Sequence, residues 1–343
     1  MRPVHYIFLL FTMVLFMACG QKPKSAEPTV EETESVDSTS IGFLSDEIRD
    51  NPGNANLFAA RAEIYFQSGN TEEALRDMGL AIKLDSLNPQ YYISIAEYYL
   101  STGKSEKSKE FLDICVEHFP ENVDGILKLA EIHFLVQQYK EAMEFIVKAQ
   151  QLDPLLAQPF FLKGLIYKEA GDTLKAIENF QITVNKDPDQ YHAYMLLGAI
   201  FSDREDSLAL DYFRIALKLQ PGSIEAWYGI GMFYQQSTLF THAINAYQTI
   251  IDSIDADYEF AHYNIGYIYL HGIKDYKMAL LHFTNTIEIK NNYYQAWYNR
   301  GYTFEKMEDY NSARSDYKAA LNILPNYELS IEGLNRIDRL TGK

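Results

Sequence analysis

The 343-residue sequence predicts an all-α solenoid of eight helix–turn–helix units with a capping helix at each end. Two observations carry this reading. A small residue recurs at Ala62, Ala96, Ala130, Gly164, Gly198, Gly231, Gly266 and Gly301, in steps of 34, 34, 34, 34, 33, 35 and 35 residues. A second small residue recurs at Ala74, Ser108, Ala142, Ala176, Ala209, Ala243, Ala279 and Ala313. Each is followed four residues later by a large apolar one: Met78, Leu112, Ile146, Phe180, Phe213, Tyr247, Phe283 and Tyr317. A fixed period of this size marks stacked units, each of which buries its apolar face against its neighbours.

The unit reads most clearly over residues 296–325. Its first helix carries Trp297, Gly301 and Phe304; its second carries Ala313, Tyr317 and Ala320; Pro325 closes it. Small residues stand where two helices must approach closely, and aromatics fill the space beside them. Three residues after each first-helix small residue comes an aromatic or histidine: Tyr65, Tyr99, His133, Tyr167, Phe201, Tyr234, Tyr269 and Phe304. Pro120, Pro154, Pro188, Pro221 and Pro325 end units, since proline cannot continue a helix but can begin the next segment. These positions resemble the tetratricopeptide repeat (TPR) family, whose unit is a helix–turn–helix of about 34 residues. The resemblance covers residues 41–343 and implies a superhelical stack, with eight TPR repeats over 55–327. The turn before Ala209 is one residue short. One residue is added between the sixth and seventh units and another in the turn 271–277, and these changes are expected to fall in loops.

The ends have their own character. Residues 41–54 read as an N-terminal capping helix, the second helix of a lost unit, with Phe43, Leu44 and Ile48 on one face. Residues 328–343 read as the C-terminal capping helix, with Ile331, Leu334 and Ile337 on one face and charges opposite. Solenoids need such polar-backed ends for solubility. Residues 1–18 combine Arg2 with an apolar run too short for a comfortable membrane span, as in an export signal. Ala18-Cys19-Gly20 resembles the lipobox of bacterial lipoproteins, which implies cleavage before Cys19 and acylation (palmitate) of its thiol. Residues 19–40 form the acylated cysteine and a polar linker with no apolar face to bury. As a coil the linker spans on the order of 25 Å. The resemblance to lipoproteins of Bacteroidota implies the cell envelope: an outer-membrane lipoprotein facing the periplasm, with the cell surface as the alternative.

Composition narrows the partners. A net charge of −17 argues against nucleic acid, which needs a basic stripe to meet phosphates. It also disfavours electrostatic adhesion to an anionic membrane, so membrane contact would come through the N-terminal lipid. The other cysteine, Cys115, stands where other units have alanine and reads as a small core residue.

In TPR proteins the first helices line a concave groove. Carried onto this sequence, the resemblance places Tyr228, Tyr263, Asn264, Tyr267, Tyr298, Asn299 and Tyr302 there. An asparagine amide offers both donor and acceptor to the backbone of an extended peptide, and tyrosines add apolar contact with a polar tip. The alternative is that the tyrosines pack on one another and the asparagines face water. In the first three units the corresponding residues are Glu63, Glu97 and Glu131. This stripe either receives a basic partner or faces water as good helix formers do.

No chemistry stands out. Ser101 and Lys104 fall in a turn, Gly229 and Gly231 lie within a helix, and His262, His271 and His282 lack metal-ligand spacing. The sequence thus points to a non-enzymatic protein-interaction scaffold with no cofactor and no metal, binding a protein or peptide segment. A glycan-binding envelope lipoprotein is the alternative.

Overall fold

In a computed structural model of the chain, residues 40–342 are described. The signal, Cys19 and all of the linker but Ser40 lie outside them.

The described residues form a run of helices with no strand. Helix α1 (Ile41–Asp50) precedes eight antiparallel pairs. These are α2 (Ala55–Gln67) with α3 (Thr71–Leu84), α4 (Pro89–Ser101) with α5 (Ser105–His118), α6 (Val123–Leu135) with α7 (Tyr139–Leu152), and α8 (Gln158–Glu169) with α9 (Thr173–Lys186). Next come α10 (Tyr191–Asp203) with α11 (Leu208–Leu219), α12 (Ile224–Gln236) with α13 (Phe240–Ser253), α14 (Glu259–Tyr267) with α15 (Tyr276–Ile289), and α16 (Tyr294–Lys306) with α17 (Tyr310–Ile323). Helix α18 (Glu328–Thr341) closes the stack. The fold is the expected TPR-type solenoid.

Each turn within a pair carries one residue at positive φ. Gly69, Gly103 and Gly171 do so at +74° to +80°, and Gln137, Glu205, Thr238, Lys274 and Glu308 at +55° to +63°. A left-handed residue is the usual way to end a helix and turn the chain. The five non-glycine residues explain why the sequence shows no regular glycine there.

The small residues have a specific cause. A Cβ on Gly164 would lie 2.5 Å from the Phe180 ring, on Gly198 2.6 Å from Phe213, and on Gly231 2.5 Å from Tyr247. From the fourth pair onward the second helix therefore sends an aromatic ring across the backbone of its own first helix. Phe180, Tyr247, Phe283 and Tyr317 are each fully buried by this contact.

Neighbouring first helices touch one another, α4 with α6, α6 with α8, α10 with α12 and α16 with α18, while second helices do not approach so closely. The first helices accordingly line the inner, concave side.

The added residue near 271–277 does not sit in a loop. The first helix of the seventh unit continues past α14 as a π-helical segment, Ile268–Ile273, closed by left-handed Lys274. One residue is wound into the helix as a wide turn, a known way to accommodate an insertion without breaking backbone pairing. The C-terminal face also differs from expectation. Ser330, Gly333 and Ile337 are buried in α18, and Ile331 is exposed. The burial follows the first-helix pattern: a Cβ on Gly333 would meet Tyr317 at 2.5 Å, as one on Gly229 would meet Phe213 at 2.7 Å. Ile331 stands where Trp297 stands in the last pair, and no second helix covers it among the described residues.

Candidate functional site

The concave face has two distinct halves. Over the first three units the expected glutamate stripe is present but largely engaged. Glu63 accepts from Gln67 Nε2 and from the Tyr98 hydroxyl, both at 2.9 Å. Glu97 and Glu131 share the Lys128 ammonium at 3.0 and 3.4 Å, and Gln158 Nε2 donates to Glu131 at 3.0 Å. Burial opposes the charge on Lys128, but the two carboxylates outweigh it and hold its pKa above the ordinary lysine value. Two of the three carboxylates are therefore tied together by an internal cation that the sequence reading did not single out.

In the last three units the asparagines and tyrosines form a ladder. Asn264 Nδ2 donates to the Tyr228 hydroxyl at 2.9 Å, and Asn299 Nδ2 donates to the Tyr263 hydroxyl at 2.9 Å. Each bond spans 36 residues and joins one unit to the next. Both asparagines are buried. Burial pushes the Tyr228 phenol up to about 12, and the Asn264 donor works against that rise. These four residues thus hold neighbouring units in register, and their amide nitrogens are already committed.

The accessible part of this half is an aromatic strip. Tyr267 is 37 % exposed, and its ring lies 4.4 Å from that of His271. The His271 ring stacks on Tyr302 at 6.1 Å and 20°. Tyr302 in turn lies parallel to Tyr298, 6.1 Å away. Lys306 Nζ sits 4.8 Å over the Tyr302 ring, and the Arg336 guanidinium approaches it at 5.7 Å. Arg336 is fixed by a fork onto Glu305, at 3.0 and 3.1 Å, and Glu305 also accepts from the Tyr317 hydroxyl at 2.5 Å. The strip offers ring faces flanked by cations, chemistry suited to apolar, aromatic and acidic groups.

The fold therefore gathers Tyr267, Tyr298 and Tyr302 into one surface and Tyr228, Tyr263, Asn264 and Asn299 into its support. Sequence reading missed His271 and Lys306 as members of the strip, although both stand five residues after the small residue of their first helix, Gly266 and Gly301. Among the described residues, no group of three or more His, Cys, Asp or Glu side chains could hold a metal ion, and no helix is long and apolar enough to cross a membrane. Cys115 is buried beside Gly125, and burial pushes its thiol up to about 11.

Family models described as tetratricopeptide repeat match residues 55–86, 161–224 and 294–327. The chain carries tetratricopeptide repeats. The TPR repeat-containing protein MJ1428 of Methanocaldococcus jannaschii is 26% identical over 170 residues, which cover 46% of this chain. The matched region spans only 30% of that relative's length. Two solved structures share the fold. A TPR protein from Parabacteroides merdae superposes with a TM-score of 0.50 at 15% identity, covering 73% of this chain and 98% of its own. A chain of the APC/C hetero-tetramer does so with a TM-score of 0.50 at 17% identity, covering 87% of this chain and 58% of its own. At such identities the likeness concerns the TPR fold.

Proposed function

We propose that this TPR protein is a membrane-anchored interaction scaffold that holds an extended segment of a partner protein against the concave face of its last three repeats. The observation that carries the reading is the strip Tyr267–His271–Tyr302, open on that face and flanked by Lys306 and Arg336. Rings presented in series give broad apolar contact at low entropic cost. The Asn–Tyr ladder beneath them supplies the rigidity that limits the ordering penalty of binding. Acylation at Cys19 would place the scaffold on the cell envelope, at the outer membrane facing the periplasm, for assembly of an envelope complex.

The test is in-cell crosslinking and affinity purification of wild type beside a Tyr267→Ala, Tyr302→Ala, Lys306→Ala variant of equal helicity. A defined partner lost only from the variant supports the strip as the binding surface. The same partners recovered from both proteins would overturn it. Anchoring has a separate test, since Cys19→Ser should abolish processing and release the protein from the membrane fraction. Unchanged fractionation would rule out the anchor.

A further inference from the structure

His262 on α14 and His282 on α15 are 20 residues apart in sequence, yet their Nδ1 atoms lie 3.3 Å from one another. Both side chains are buried, at 6% and 7% exposure. The contact fixes their protonation. His262 Nε2 lies 3.2 Å from the carbonyl oxygen of Ala256, which can only accept, so Nε2 carries the hydrogen. In the neutral ring His262 Nδ1 is then a bare lone pair, and His282 Nδ1–H is the donor that fills it. One lone pair therefore both closes the contact and is the atom at which His262 would take up a proton.

We propose that this pair is an acid-released latch between the two helices of the seventh repeat. A proton taken from solvent at His262 Nδ1 occupies the lone pair and breaks the hydrogen bond, leaving two N–H groups facing one another. A proton at His282 Nε2 instead places an imidazolium beside a buried imidazole. The surroundings give such a charge one outlet. His262 lines a cleft together with Asp257 of the preceding loop and Glu288 and Asn285 of α15, while α13 contributes the apolar Ile251. On the other side, the Tyr269 ring of the π-helical segment stacks on His282 at 5.9 Å. A charged His262 would turn outward toward Asp257 and Glu288, and α14 would loosen from α15. Burial, and after it the neighbouring His262, lower His282 to about 4, in keeping with a contact that is closed only when neutral. Release would reach the concave face, because Tyr263, Asn264 and Tyr267 lie on the same helix as His262.

The experiment is amide hydrogen exchange on the full chain at pH 7.5 and pH 4.5, corrected for intrinsic rates. Wild type should lose at least ~10-fold protection in α14 and α15 at the lower pH, while α2 and α3 change little. His262→Gln tests the lone pair directly. A glutamine can accept from His282 and donate to Ala256 but does not titrate in this range, so the variant should lose clearly less protection than wild type, the remainder reflecting the buried His282. An equal acid-induced loss in wild type and variant would overturn the latch, as would no selective loss in wild type. Histidine ¹⁵N chemical shifts of the wild type give a second readout that needs no substitution. Nδ1 of His262 should become protonated over the same pH range in which protection falls, and a ring that stays neutral through the loss would also overturn it.

Discussion

The Arg300 guanidinium forks Asp316, with Nε 2.8 Å from Oδ2 and Nη2 3.0 Å from Oδ1. Arg61 forks Asp77 in the same way in the first repeat, at 2.6 and 3.0 Å. The third contact is also shared. Arg300 Nη1 donates to the Thr284 hydroxyl of α15 at 3.2 Å, and Arg61 Nη1 donates to the Ser45 hydroxyl of α1 at 2.9 Å. Helix α1 thus occupies the place of a preceding second helix. Burial pushes Asp316 upward against the pull of Arg300, so removing the arginine strands a carboxylate that has little access to water. Arg300→Ala should destabilise the protein by about 3–5 kcal/mol, read by urea denaturation. Replacing both partners with apolar residues of similar volume should be far milder.

Gly231→Ala should lower stability by roughly 1–3 kcal/mol, because its methyl group would stand where the Tyr247 ring lies. Gly222→Ala, where a Cβ meets nothing within 4 Å, is the control and should move the urea midpoint little.

Thr238→Gly should raise stability by about 1 kcal/mol. Thr238 is a β-branched residue held at φ +58°, a conformation that glycine adopts without a steric penalty. A thermal melt that shifts downward would show that its side chain contributes more than its backbone strain removes.

Tyr263→Phe should reduce stability by about 1–3 kcal/mol, since it leaves a buried Asn299 donor without its partner. Adding Asn299→Leu should recover part of the loss, because the stranded amide is then gone. A double-mutant cycle by chemical denaturation measures the coupling.

Acid should weaken the seventh repeat through His282. Its folded pKa, about 4, lies below the ordinary histidine value of 6.5. The neutral state is thus favoured by folding, and the associated stability is present above the unfolded value and lost as pH falls from 6.5 toward 4. In that window His282→Gln should give a shallower dependence of Tm on pH than wild type.

Much of this was legible because the periodic residues have one physical job throughout. A small residue and a large apolar one recur together wherever two helices must cross closely, the large one being a ring in the last five units, so eight pairs could be read without coordinates. The pairing of Asn264 with Tyr228 could not. It depends on the rotation between neighbouring repeats, which no spacing within one repeat reports. His262 and His282 were hidden for a related reason: their spacing of 20 fits no single helix face, and only the packing of α14 on α15 brings them together. Glu97 and Glu131 looked like free charge because Lys128 lies outside the stripe of matching positions. Ile331 was assigned to the buried face because α18 was read by its own apolar residues. Its packing instead follows the repeat, in which that position faces a second helix.

The π-helical segment Ile268–Ile273 has a consequence for how such an array can vary. An extra residue in an ordinary helix turns everything after it by about 100°, which would carry Ala279 off the seam it must fill. Here the surplus is taken up within one loose coil, and the phase is restored before α15 begins. The seventh repeat therefore has slack that its straight-wound neighbours lack. It is a place where a codon could enter or leave the gene while the rest of the stack keeps its register.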